Sequence, residues 1–182
     1  SYVLSGNGAA HINEWLAAVP GRFVALDLGT LDADFFDAGA PNLPADCNKD
    51  YSTMIKAVLD AGKIPVVPKI PWGRTAKIQA NGPRLNAEID KLYTTYPQVV
   101  PGPDFWSFFQ AHQDQVSPDG LNLTATGYGE YRRLWALDMS EKVYKGAAGP
   151  APQATATPVP PASCTGKLFP ETGKCVNEPF LS

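Results

Sequence analysis

The strongest constraint on the fold is a rhythm, in which helical stripes alternate with short apolar runs along the first 145 residues. Ile12, Trp15, Leu16 and Val19 recur at i, i+3, i+4 and i+7, the spacing of one helix face, and Pro20-Gly21 closes it. Arg22 to Leu28 (RFVALDL) follows as an apolar strand. Tyr51, Met54, Ile55, Val58 and Leu59 repeat the stripe up to Gly62, and Lys63 to Ile70 (KIPVVPKI) reads as a second strand despite two prolines. Leu85, Ile89, Leu92, Tyr93 and Tyr96 mark a third helix, and Gln98 to Pro101 a brief strand. Phe105, Trp106, Phe108 and Phe109 form an aromatic helix ending at His112. Tyr128, Tyr131, Leu134 and Trp135 form the terminal one. Helices inserted between successive strands imply crossover connections and a mostly parallel sheet covered on both faces. Ligand chemistry in such a sheet gathers at the carboxyl ends of the strands, which directs attention to the loops after Leu28, Ile70 and Pro101.

A chain of 182 residues can bury one sizeable core. With 44% hydrophobic and 18% charged residues it fits an ordinary globular domain, and a net charge of -3 gives no basic footprint for nucleic acid. No apolar stretch reaches the roughly 20 residues of a membrane span. Composition changes at residue 146. Residues 146–163 (GAAGPAPQATATPVPPAS) carry no charge and read as an extended linker prone to polyproline II. Residues 164–182 form a short tail in which Cys164 and Cys175 are spaced to close a small disulfide loop. Threonine-proline linkers beside paired cysteines are typical of exported proteins, so a secreted, extracellular setting is expected. Cys47 is left over, either buried and inert or paired outside the chain.

Several of these segments resemble blocks of the SGNH (GDSL-type) hydrolases. They are Tyr2 to Ala10 (YVLSGNGAA), Gly29-Thr30-Leu31-Asp32, the run AVLDAGKIPVVPKIPWG, and Ser117-Pro118-Asp119-Gly120-Leu121-Asn122 followed by Thr124 to Tyr128. The resemblance spans about residues 1–144 and implies a three-layer α/β/α, flavodoxin-like domain. It also implies hydrolysis of a carboxylic ester, of an acylated carbohydrate or small ester, with no metal or organic cofactor. In that family a serine attacks the carbonyl, a histidine takes its proton and an aspartate three residues earlier orients the imidazole. Asp119 matches the aspartate, and Gly6 or Gly8 matches an oxyanion-hole glycine. Leu31 stands where the family has a hydrogen-bonding asparagine, and Asn122 stands where it has the histidine. The Gly-Asp-Ser block is not found, so the chain is expected to begin at the family's second strand. An esterase-like domain that is inactive in this form is the expectation. The alternative is a non-catalytic structural, filament-type assembly or carbohydrate-binding module.

Other residues admit plainer readings beside functional ones. Asp119 also suits an Asx-turn or helix cap, and Asn122-Leu123-Thr124 fits the N-x-T glycosylation pattern. His11 and His112 read as structural. Asp32 and Asp34 could bind a cation or belong to a solvated turn. Trp72, just past the strand KIPVVPKI, is the candidate substrate-facing aromatic, or else a core cap. The tail resembles a cysteine-bounded FPETG-type motif of multidomain bacterial secreted proteins. It has too few residues for a core of its own, so self-association through residues 164–182 is expected.

Overall fold

A computed structural model of the protein describes residues 5–145, 167–169 and 174–176. The chain divides into two units, Ser1–Ala147 and Ala148–Ser182. The first runs α1 (Ser5–Ala18), β1 (Phe23–Ala25), α2 (Thr30–Phe35), α3 (Leu43–Asp60), β2 (Ile64–Lys69), α4 (Ala76–Thr95), β3 (Val100–Asp104), α5 (Phe105–Ala111) and α6 (Ala125–Asp138). A π-helical turn, Met139–Tyr144, continues α6. In the second unit β4 (Lys167–Phe169) pairs antiparallel with β5 (Lys174–Val176), placing Leu168 opposite Cys175. The linker of residues 146–163 and the proposed partner thiol Cys164 lie outside the described residues.

The three strands of the first unit form a parallel sheet in the order β1-β2-β3. Because β2 is central, Pro65 to Pro68 are all buried, the continuous burial expected of a parallel strand covered on both faces. Proline in a central strand normally forfeits a ladder hydrogen bond. Pro68 escapes the penalty because it lies where the register shifts, between Val67 paired with Pro101 and Lys69 paired with Asp104. The irregular backbone crosses very close there, and a Cβ on Gly102 would stand 2.9 Å from the Pro68 nitrogen.

Two cores cover the sheet. In one, Ile12 of α1, Tyr51, Met54, Ile55 and Val58 of α3, and Leu85, Ile89 and Leu92 of α4 pack with Val67 and Ile70. Each such side chain removed from water contributes about 1.5–3 kcal/mol. Gly8 lets α1 approach closely, since a Cβ there would lie 2.6 Å from Leu28 Cδ1 and 2.7 Å from Met54 Sδ. The other core is aromatic: Trp72, Phe105 and Phe109 pack with Tyr131 and Trp135 of α6, and the rings of Phe105 and Tyr131 stack at 3.9 Å. One carboxylate ties α6 to the end of β1. Asp27 accepts hydrogen bonds from the Tyr131 hydroxyl and, at 3.2 Å, from the Trp135 indole N–H. Burial pushes the Asp27 carboxyl up from its ordinary value, an effect only partly offset by these two donors.

Some boundaries differ from the sequence reading. β1 is shorter than RFVALDL because its pairing to β2 ends with the Leu26 N–H donating to Val66 O, after which the Tyr51 hydroxyl takes over the Leu28 peptide groups. β3 begins at Val100 because Val99 N–H closes a turn onto Tyr96 O. The six-residue α2 falls where the sequence pattern shows only a loop, being too short to show a stripe. No helix among the described residues is long and apolar enough to cross a membrane.

Two outcomes are expected. Gly8→Val forces α1 off Leu28 and Met54 and destabilises the fold by about 1–3 kcal/mol, measurable by urea unfolding. Asp27→Asn keeps an acceptor for Tyr131 and Trp135 but removes the cost of ionising a buried carboxyl. A raised native pKa supplies stability below the ordinary value of 3.8 that is lost as pH rises through the native value. The variant's thermal midpoint should therefore exceed the parent's at neutral pH, and the gap should close as pH falls toward 3.8.

Candidate functional site

Three loops meet at the carboxyl ends of the strands. The first leaves β1 through Leu28, whose carbonyl accepts the Tyr51 hydroxyl at 2.8 Å. Gly29 then takes φ +98°, with Ile70 Cγ2 3.0 Å from where a Cβ would stand, so glycine is required on both counts. α2 starts at once. Leu31 on its first turn is 38% exposed, an isobutyl group at the position for which the resemblance implies an oxyanion donor. Asp32 turns inward and is buried. Its carboxylate accepts the Ser5 N–H at 3.0 and 3.1 Å and the Ser5 hydroxyl at 2.8 Å. A negative group at the first turn of α1 suits the helix dipole. Burial nevertheless raises the Asp32 carboxyl, with Ser5 opposing the shift. Gly6 lies at this same end, 3.3 Å from Asp50 Oδ2 by its would-be Cβ, whereas Gly8 faces the core.

The second loop joins the other two. Thr75 caps α4 by accepting the Ile78 N–H at 3.1 Å, and its hydroxyl donates to Asp34 Oδ1 of α2 at 2.6 Å. Arg74 N–H donates to Gly120 O at 2.7 Å, and a Cβ on Gly73 would stand 2.6 Å from that same oxygen. Trp72 is only 7% exposed and belongs to the aromatic core with Phe105 and Phe109, so it fills the interior instead of facing a substrate groove.

The third loop is a tight turn. Ser117 N–H donates to Asn122 O at 2.8 Å, and Gly120, at φ +75°, donates its N–H to Ser117 O at 2.9 Å. Inside the turn Asp119 Oδ1 accepts the N–H groups of Leu121 and Asn122, both at 2.9 Å, which is an Asx-turn. Asp119 Oδ2 accepts the Asn122 Nδ2 amide at 2.7 Å. The Asn122 amide, followed by the two backbone donors, holds the Asp119 carboxyl below its ordinary value. Asn122, at the position for which the resemblance implies a histidine, thus donates its side-chain amide to Asp119. It is also the sequon asparagine, and the nitrogen that would carry a glycan is the one engaged by Asp119. Thr124, the sequon threonine, caps α6 by accepting the Gly127 N–H at 3.1 Å.

The remaining candidates are held by their own surroundings. His11 Nδ1 lies 3.2 Å from Glu14 Oε2, and His112 Nδ1 lies 2.8 Å from Phe108 O with its ring stacked on Phe108. Asp32 and Asp34 have separate protein donors, Ser5 and Thr75. Among the described residues no three His, Cys, Asp or Glu side chains are grouped to hold a metal ion. Cys47 is a buried free thiol, pushed up to about 12 by burial and then by Asp32 and Asp50. Two features escaped the sequence reading. The Ser5 contact to Asp32 had no local signal. The Asp27 contact had one, a carboxylate within the apolar run RFVALDL, which cannot be buried without donors.

No family model and no curated protein matches the chain. Solved structures do. A serine-to-alanine variant of the esterase AlinE4 aligns over 80% of this chain and 72% of its own, with 16% identity and a TM-score of 0.51. An aspartate-to-alanine variant of the same esterase aligns over 81% and 72%, with 17% identity and a TM-score of 0.52. Identity at this level speaks for the fold alone: the chain has an α/β/α architecture similar to that of this esterase.

Proposed function

We propose that this chain is an esterase-fold domain that does not carry out ester hydrolysis in this form and serves a secreted protein in binding or assembly. The Asp119 to Asn122 contact is the observation that carries the reading. A general base needs an atom that accepts a proton near the working pH, and a carboxamide nitrogen only donates. Asp119 is no substitute, because its carboxyl is held below 3.8 by the donors around it and is a weak base at neutral pH. A positioned base is worth roughly 10²- to 10⁴-fold in rate, and one oxyanion donor roughly 10²- to 10³-fold. Losing the base at Asn122 and the donor at Leu31 together removes most of what such a site supplies. The ester class of the ligand, an acylated carbohydrate or small ester, rests on the likeness to an esterase. The extracellular setting rests on the uncharged Thr/Pro linker and the cysteine pair of the tail.

The chain should hydrolyse p-nitrophenyl acetate no faster than its heat-denatured control, and turnover that Asp119→Ala abolishes would overturn the proposal. The geometry can be read separately from activity. In Asn122→His an imidazole N–H takes the place of the amide donor to Asp119, so its pKa, followed by proton NMR, should rise above the ordinary value of about 6.5. A histidine that titrates at its ordinary value would mean that the pairing with Asp119 is not retained and that Asn122 does not stand in for the family base.

A further inference from the structure

We propose that Ser5, Asp32 and Asp50 form a proton-operated clasp joining α1, α2 and α3, in which the Ser5 hydroxyl donates to Asp32 while that group is charged and turns to Asp50 once Asp32 takes up a proton. The Ser5 oxygen stands 2.8 Å from Asp32 Oδ1 and 3.1 Å from Asp50 Oδ2, both hydrogen-bond distances. A serine hydroxyl has one proton to give, and an ionised carboxylate only accepts. With both carboxylates charged, one of the two contacts sets lone pair against lone pair. Protonation of Asp32 removes the conflict. Its O–H donates to the Ser5 oxygen and the Ser5 hydroxyl donates to Asp50, a continuous chain from α2 through α1 to α3. The Ser5 N–H keeps an acceptor in either state, because it also lies 3.0 Å from Asp32 Oδ2.

Asp32 is the group placed to take the proton. It is buried, whereas Asp50 is only half-buried. Burial, and after it the charge of Asp50, raises the Asp32 carboxyl against the opposing pull of the Ser5 donors. The other titratable groups nearby do not compete. Cys47 of α3 keeps its proton, being pushed up to about 12. Asp46 of α3 lines the same small cavity but is exposed. Asp34 of α2 is engaged by Thr75, and Glu88 of α4 by Asn48 and Lys91. Because the native carboxyl is raised, the clasp is complete in acid and is lost as pH rises through the native value of Asp32. Asp32 lies on the first turn of α2, so this proton decides how firmly the first loop of the candidate site is tied to α1 and α3.

Carbon NMR of the side-chain signals of the full chain over a pH series tests the clasp. The Asp32 carboxyl should titrate with a midpoint above 3.8, and the Ser5 Cβ signal should move at that same midpoint as its hydroxyl changes acceptor. Asp50→Asn sets an amide donor against the Ser5 oxygen and should lower the Asp32 midpoint. In a Ser5→Ala background the same change should move the midpoint less than half as far, because the link between the two carboxyls is gone. The Ser5 Cβ reading uses the parent chain alone and stands even where a variant fails to fold. An Asp32 midpoint at or below 3.8 overturns the proposal. So does a Ser5 Cβ signal that stays flat while Asp32 titrates. An Asp50→Asn effect of equal size with and without the Ser5 hydroxyl overturns it as well, since the carboxyls would then sense each other only through space.

Discussion

The buried carboxylate of Asp32 links the first turn of α1 to the first turn of α2, and the candidate site depends on that link. By taking both the N–H and the hydroxyl of Ser5, it fixes where α1 begins relative to the end of β1. Gly6 is thereby held beside Asp50, and Gly8, half a turn on, is pressed against Leu28 and Met54. The cost is evident in the raised Asp32 carboxyl, because a charge withdrawn from water is only partly compensated by two donors. Without those donors the group would have no reason to be inside at all.

On the proposed reading, the segment Ser117 to Asn122 separates two properties that a catalytic residue must combine. Position is preserved: the Asn122 side chain meets Asp119 at a hydrogen-bond distance and the turn around it is closed by backbone contacts. Basicity is not, because the lone pair of a carboxamide nitrogen is delocalised into its carbonyl and takes up no proton at ordinary pH. A fold can tolerate this exchange because the contact that stabilises the loop is the N–H to carboxylate bond, which either residue makes. What the exchange alters is proton transfer, to which stability is indifferent.

Much of this was legible in the sequence wherever the signal was local. The stripes of Ile12 and Leu16, of Tyr51 to Leu59 and of Leu85 to Tyr93 lie within α1, α3 and α4, since helical periodicity reports a face directly. The resemblance to the hydrolase blocks links Asp119 with Asn122, and one turn contains both. Strand limits were harder, because β1 and β3 end where a neighbour stops pairing and not where apolar residues run out. Trp72 shows the same limit from another side: a tryptophan beyond a strand looks identical in sequence whether it lines a groove or joins Phe105 and Phe109 inside. Contacts across a hundred residues, such as Asp27 with Tyr131 and Trp135, left only the trace of a misplaced charge.

Cys47 has a consequence for any cross-linking of this chain. Cys47 is buried, and that burial, followed by the charges of Asp32 and Asp50, pushes its thiol up to about 12. Thiol–disulfide exchange and alkylation both proceed through an accessible thiolate. The folded first unit is therefore silent to thiol reagents, and modification of Cys47 can proceed only as fast as α3 breathes away from its neighbours. The residue works as an internal clock for that opening, and any covalent bond between native copies must be made by sulfurs elsewhere in the polypeptide.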